Sequence, residues 1–204
     1  MVGREPPADF ARATLEIETV SPGAVFGRIY SAGYPDPLGY GKSPSRFSDP
    51  RRRLPSRHFG VLYLGQTLKV CFLEAVLRDQ RDGFIEDFLI AELELTSRRY
   101  AEIEVASELR LVDLRDDKAI RMGVPTDVAR ASRQSLARKW AVACHDHPSQ
   151  PDGIVYPSRL NGMTNMALYG RSVGKLKPVR ILPLIAAPGL ASVLDDLRVA
   201  LIDT

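Results

Sequence analysis

Cysteine is scarce in this chain. Cys71 and Cys144 are the two in 204 residues, in neither the density of a disulfide scaffold nor the paired spacing of a zinc site, which fits a reducing compartment. Long apolar runs are missing too: no stretch approaches the roughly 20 residues that span a bilayer, and the opening "MVGREPPADF" has no apolar signal-peptide core. A cytoplasmic protein is expected. Charge is nearly balanced, with 28 Lys and Arg against 25 Asp and Glu, and the resulting +3 is too small to announce a nucleic-acid binder. The chain lacks a Walker loop, a GxGxxG opening a helix, HExxH and GxSxG, so the commonest nucleotide, zinc and serine-hydrolase readings have no fingerprint. Neither an internal repeat nor a low-complexity segment occurs. His145 and His147 in "HDHP" offer at most two His ligands in a helix-ending loop, short of a metal-ligand set, so no metal is expected. "RRR" at 51–53 reads as a solvated loop cluster rather than a phosphate track.

What is present is the composition of one globular core, 45% hydrophobic and 26% charged. A single domain over residues 24–204 is expected, with 1–23 as a loose N-terminal arm in which "TLEIETV" has strand character. "AVFGRIY" (24–30) reads as a strand. The Gly-, Pro- and Ser-punctuated stretch 31–59 that follows is a loop of the length usually kept for binding or lids. "GVLYLG" (60–65), "DFLIAELEL" (87–95), "LRLVDL" (109–114), "DGIVYPSR" up to Pro157, "NMALYG" and "VRILPLI" read as further strands. Helices are expected over "TLKVCFLEAVLRD", over 125–146 with Thr126 as N-cap and Leu136, Trp140 and Ala143 as the inward stripe, and over "ASVLDDLRVALID". Strands interrupted by two or three helices predict an α+β fold rather than a doubly wound one.

One residue in these elements asks for an explanation. Glu74 lies within the apolar run "VCFLEAVL", where an ionised carboxylate without solvent or partners would cost several kcal/mol. It shares a helix face with Val70, Cys71, Leu77 and Arg78, whereas Leu68, Phe72, Ala75 and Val76 form the apolar stripe. Either Glu74 faces water, or it faces something that uses it.

Four blocks bear on that choice: "GRIY", "SRFSDP", "GVLYLGQTLKVCFLEAVL" and "DGIVYPSRLNGMTNMALYG". In this order and with these separations they resemble the RES-domain family, named for its Arg, Glu and Ser, over about residues 25–180. The second block departs from the glycine-rich Gly-Gly-Arg-Trp-Asn type of sequence associated with the family. The resemblance implies an ADP-ribosyltransferase-like fold, with a mixed, split β-sheet core and flanking helices, and NAD+ as a consumed substrate. It also implies a toxin held inactive by an Xre-like antitoxin in a hetero-oligomer, which would touch DNA only through that antitoxin.

Carried over to this sequence, the family's residues are Glu74, Arg28 and Ser158 as catalytic groups, and Arg28, Arg46, Tyr63 and Ser158 around NAD+, with Tyr40 a further candidate. The chemistry calls for such types. Breaking the nicotinamide–ribose bond builds positive charge on the sugar, which a carboxylate stabilises. An arginine fork grips a pyrophosphate that no glycine-rich helix start receives. A tyrosine face stacks on a cationic ring, and the Ser158 hydroxyl is suited to positioning the ribose or the nicotinamide amide. Each residue also has an ordinary reading, as a surface arginine, a core tyrosine or a turn serine. Their joint order sets them apart. The acceptor of ADP-ribose is left open between phosphate, water and a protein side chain, and a binding module for an acidic partner stands as the non-enzymatic alternative.

Overall fold

The computed structural model describes residues 4–51 and 58–203, so Arg52 and Arg53 of the basic run lie outside the described residues. Among the described residues the strands are β1 (Ile17–Val20), β2 (Val25–Ser31), β3 (Val61–Gly65), β4 (Phe88–Ala91), β5 (Arg98–Val105), β6 (Leu109–Asp113), β7 (Gly153–Pro157), β8 (Thr164–Tyr169), β9 (Leu176–Pro183) and β10 (Val199–Ile202). The α-helices are α1 (Leu68–Phe72), α2 (Glu92–Thr96), α3 (Lys118–Arg121), α4 (Asp127–Arg130), α5 (Ser135–His145) and α6 (Leu190–Asp196). Eight strands form one sheet in the order β1-β6-β7-β8-β3-β2-β5-β9, and β10 pairs with β4 beside it. The large sheet is antiparallel except for β6 and β7, which run parallel. The fold is therefore α+β, as the order of elements predicts.

The joint between β2 and β3 is the thinnest in the sheet. Gly27 and Gly65 are its one paired position, whereas β2 pairs with β5 along seven. Side chains are excluded there because α1 presses on the joint. A Cβ on Gly65 would stand 2.7 Å from both Cys71 Sγ and Val70 Cγ1, and one on Gly27 would stand 2.9 Å from the Tyr100 ring. Away from the joint the two strands part, and a cleft opens between them.

Three apolar clusters carry the fold. One gathers Trp140, Ala141 and Cys144 of α5 with Phe47, Ile154 and Tyr169. A second surrounds α1 with Phe72, Val76, Leu95, Leu184 and Val193. The third fills the other face of the sheet with Leu62, Leu64, Ile103, Leu111 and Leu168.

Several elements differ from the expectation. The segment before residue 24 is expected to be loose, yet β1 pairs with β6 and Phe10 is buried with its ring edge-on to Trp140 at 5.0 Å. β5 carries no expected element, because Glu102 and Glu104 interrupt its apolar pattern. Both glutamates reach partners on β9, Glu104 meeting Lys177 at 2.8 Å and Glu102 meeting Arg180 at 3.8 Å. "DFLIAELEL" is a strand only to Ala91 and then turns into α2, whose Glu and Leu residues favour helix. The helix over 125–146 breaks at Ala131, which is extended, and Thr126 makes no capping hydrogen bond. The carbonyl of Ala131 accepts from Arg46. The C-terminal helix stops at Asp196, and the β-branched residues after it form β10.

Candidate active site

Thr67 starts α1 with its hydroxyl accepting from the Val70 amide at 3.2 Å. After Phe72 the helix widens into a π-helical turn over Leu73–Leu77, closed by the Arg78 amide donating to the Leu73 carbonyl at 2.7 Å. Such a turn skips one residue relative to the α-helical ladder and so shifts the side chains that follow. Val70, Cys71, Phe72, Leu73, Val76 and Leu77 are all buried, and Glu74 is exposed. The π turn thus separates Glu74 from the residues that share its face in a regular helix.

Glu74 opens into a cleft of about 490 Å³ lined from both sides of the sheet's joint. Arg28 comes from β2, Tyr63 from β3, Arg46 from the long loop, Arg78 and Asp79 from the end of the π turn, and Arg159 and Asn165 from the β7–β8 hairpin. The carboxylate is held by two donors on one oxygen. Ser158 Oγ donates to Oε1 at 2.7 Å and Asn165 Nδ2 donates to the same atom at 2.9 Å. Hydrogen bonds to an ionised acceptor stabilise by about 1.5–3 kcal/mol each, which fixes the side chain. Oε2 accepts no protein hydrogen bond among the described residues.

Ser158 itself is buried at 1% exposure and lies behind Glu74 rather than on the cleft wall. Its hydroxyl accepts from the Leu160 amide at 3.1 Å while donating to Glu74, a geometry that orients the carboxylate. The sequence reading gave that hydroxyl to the ribose or the nicotinamide amide.

The two expected arginines are anchored by the backbone of neighbouring loops. Arg28 Nη1 donates to the Pro37 carbonyl, and its guanidinium lies 5.6 Å from the centre of the Tyr30 ring. Burial pulls its pKa below the ordinary arginine value, the expected direction for a cation moved out of water. Arg46 Nη1 donates to the Ala131 carbonyl at 2.7 Å. Each guanidinium has further N–H groups for an anionic ligand. Arg159 also lines the cleft but is paired with Asp79.

Tyr63 has its hydroxyl within the loop: it accepts from the Phe47 amide at 2.9 Å and meets Ser45 Oγ at 2.9 Å. Burial raises its pKa, so it is a neutral phenol with one ring surface toward the cleft. Tyr40 is elsewhere. Its ring covers Gly60 and Gly170, where added Cβ atoms would come within 2.0 Å and 2.9 Å of it, and it does not line the cleft. Cys71 does, but burial pushes its thiol up to about 12, which keeps it protonated and a poor nucleophile.

The histidine pair is engaged in packing. His145 stacks on Phe59 at 4.2 Å and contacts Asp146 at 2.7 Å, and His147 Nε2 donates to the Ala13 carbonyl at 3.2 Å while Nδ1 accepts from the Ser149 amide. Among the described residues no three His, Cys, Asp or Glu side chains converge as metal ligands. Arg51 forks onto Asp49 at 2.8 and 2.7 Å and reaches Asp146 at 2.6 Å, a structural clamp on the loop. Asn165, Arg78 and Tyr156 belong to the cleft and were not singled out from the sequence. The sequence signal for Asn165 is its place in "GMTNMALYG", the end of the fourth block.

The family model of the RES domain matches residues 25–186. The chain belongs to the RES-domain family. That span begins with β2 and includes the whole cleft, from Arg28 through Glu74 to Asn165. A curated relative, the "Probable toxin y4kH" of Sinorhizobium fredii, is 38% identical over 127 residues, which are 62% of this chain and all of that protein. A chain in the crystal structure of the M. tuberculosis MbcT–MbcA toxin–antitoxin complex has the same fold. It superposes with a TM-score of 0.63 at 19% identity, over 88% of this chain and 91% of that one. The ADP-ribosyltransferase-like α+β architecture implied by the RES resemblance is thus the fold observed. No helix among the described residues is long and apolar enough to cross a membrane.

Proposed function

We propose that this RES-domain protein is the toxin of a toxin–antitoxin pair and that it breaks the nicotinamide–ribose bond of NAD+. The observation that carries the reading is the Glu74 carboxylate, held on one oxygen by Ser158 and Asn165 with the other oxygen open to an arginine-lined cleft. The likeness to y4kH and to a chain of a toxin–antitoxin complex supports the cellular role.

In the proposed reaction Arg28 and Arg46 grip the pyrophosphate, and the nicotinamide ring lies against the Tyr63 side of the cleft. As the C1′–N1 bond breaks, its electron pair leaves with the nicotinamide nitrogen, whose positive charge is lost. The charge passes to the ribose C1′ and ring oxygen, where the Glu74 carboxylate stabilises it, and Glu74 Oε2 is open to accept the 2′-hydroxyl proton in a hydrogen bond. The acceptor then bonds to C1′ and loses a proton to solvent. Phosphate, water and a protein side chain use the same cation-like intermediate, so transfer of ADP-ribose to a protein is the second form of one chemistry.

Product analysis by mass spectrometry tests the proposal, with purified protein, NAD+ and, in parallel, added phosphate or cell lysate. Free nicotinamide with ADP-ribose, its 1″-phosphate or a modified protein is expected, and the mass identifies the acceptor. Intact NAD+ in every arm refutes an enzymatic role and leaves a binding module.

A further inference from the structure

Arg78 closes the π turn in a backbone conformation that side chains rarely adopt, with φ 48° and ψ −131°. This is the region of a glycine at the first central position of a type II′ turn, and a residue with a Cβ is strained in it. Arginine gives the turn no local advantage, and the guanidinium has no hydrogen-bond or ionic partner among the described residues. Its position is distinctive. Arg78 and Leu160 line the catalytic cleft and also a second hollow, of about 340 Å³, on the other side of them. That hollow has an apolar floor of Leu73, Leu77, Leu160 and Leu197, and Arg81, Arg198 and Asp196 stand at its rim, Asp196 being paired with Lys69. The rim is fixed. Arg81 donates to the carbonyls of Leu197, Arg198 and Glu86, and Arg198, itself at φ 51°, donates to Asp87.

Two adjoining hollows with an unpartnered arginine on the shared wall match the layout of a dinucleotide, whose two nucleoside halves are joined through a pyrophosphate. We propose that Arg78 binds the pyrophosphate from the adenosine side and that the leucine-floored hollow receives the adenine. The assignment rests on NAD+ being the substrate. A flat, weakly polar base suits a floor of leucines, and guanidinium groups at the rim stack on purine faces. The strained arginine then has a reason to persist, because an anion between the hollows repays the backbone cost. Arg28 and Arg46 hold the nicotinamide side of the same pyrophosphate.

The test uses the full chain carrying Glu74→Gln, so that ligand is bound without turnover, and calorimetry with ADP-ribose, AMP and ribose 5-phosphate. Arg78→Gly removes the guanidinium and suits the local φ, so its melting temperature should equal or exceed that of the parent. Its affinity for ADP-ribose and for AMP should fall at least tenfold. Leu197→Asp, which puts a carboxylate on the hollow's floor, should weaken both ligands similarly while leaving ribose 5-phosphate unchanged. Unaltered ADP-ribose binding by Arg78→Gly overturns the role of the arginine. Loss with Arg78→Gly but not with Leu197→Asp overturns the adenine hollow alone. Turnover of NAD+ by the parent enzyme, measured separately, is not affected by either result, so failure of this assignment is distinct from failure of the NAD+ reading. A protein that neither cleaves NAD+ nor binds ADP-ribose overturns both.

Discussion

Ser158 Oγ and Glu74 Oε1 lie 2.7 Å apart, joining a buried hairpin residue to an exposed carboxylate 84 positions earlier in the chain. The serine follows β7, where Pro157 ends the strand, and the glutamate leaves the helix at its π turn. The contact orients both side chains, with Asn165 as the second donor to the carboxylate and the Leu160 amide donating to the serine.

Removing the charge at Glu74 should abolish the reaction and leave the fold. Glu74→Gln keeps the shape and is expected to lower NAD+ cleavage at least about a hundredfold, the equivalent of roughly 2.7 kcal/mol of transition-state stabilisation. It should also relieve toxicity in cells. Near wild-type turnover in a folded variant would remove Glu74 from the mechanism.

The two donors to Glu74 should act on kcat more than on KM, because both orient the carboxylate. Ser158→Ala and Asn165→Ala are each expected to lower kcat about 10- to 100-fold, from the loss of one charge-assisted hydrogen bond. On a Glu74→Gln background the same changes should have little further effect. Additive losses in the double variants would mean that Ser158 or Asn165 works independently of Glu74.

Arginine at 28 and 46 should be irreplaceable by lysine. Arg28→Lys and Arg46→Lys keep the charge but lose the planar fork that serves a backbone carbonyl and a ligand together. Steady-state kinetics should give KM raised about tenfold for each, equal to about 1.4 kcal/mol. If neither KM moves, the clamp belongs to Arg78 and Arg159.

On the proposed NAD+ chemistry the toxin needs restraint by its antitoxin, for which the resemblance implies an Xre-like chain. The expected mechanism is occlusion, with a carboxylate of the partner meeting the cleft arginines. Titrations should find NAD+ and antitoxin mutually exclusive, and Arg28→Glu or Arg46→Glu should weaken both. A complex that takes up NAD+ with unchanged affinity would require an allosteric inhibitor instead.

Stability should fall in acid partly through Asp113. Its side chain is fully buried at the end of β6 and accepts from Arg115 and Lys118. Burial pushes the carboxyl up, but the hydrogen bonds from Arg115 and Lys118 outweigh it and hold the pKa below the ordinary value. A lowered folded-state pKa means stability that is complete above the unfolded value of about 3.9 and is lost as pH falls through the folded one. Asp113→Asn should cost about 2–3 kcal/mol at pH 7 in urea unfolding, with the difference from the parent shrinking below about pH 4. A pH-independent difference would mean that Asp113 contributes packing rather than charge.

The sequence by itself determined the class of fold, most strands and the identity of Glu74, because those rest on local apolar periodicity and on an ordered set of short blocks. Glu74 stood out since an acid in "VCFLEAVL" conflicts with its neighbours, and it lines the cleft. The tertiary structure decided the rest. β5 was hidden by Glu102 and Glu104, whose partners Lys177 and Arg180 are more than seventy residues away in the chain. At the break after Arg130, the Ala131 carbonyl is taken by Arg46, again a long-range contact. Asn165 looked like an ordinary strand polar residue until the pairing of β7 with β8 brought it beside Ser158. The π turn, which turns Glu74 outward and leaves Arg78 strained between two hollows, follows directly on α1, whose Val70 and Cys71 pack at Gly27 and Gly65. Local propensity carries no record of which partners a side chain meets across the sheet, and in this protein the site is made of such meetings.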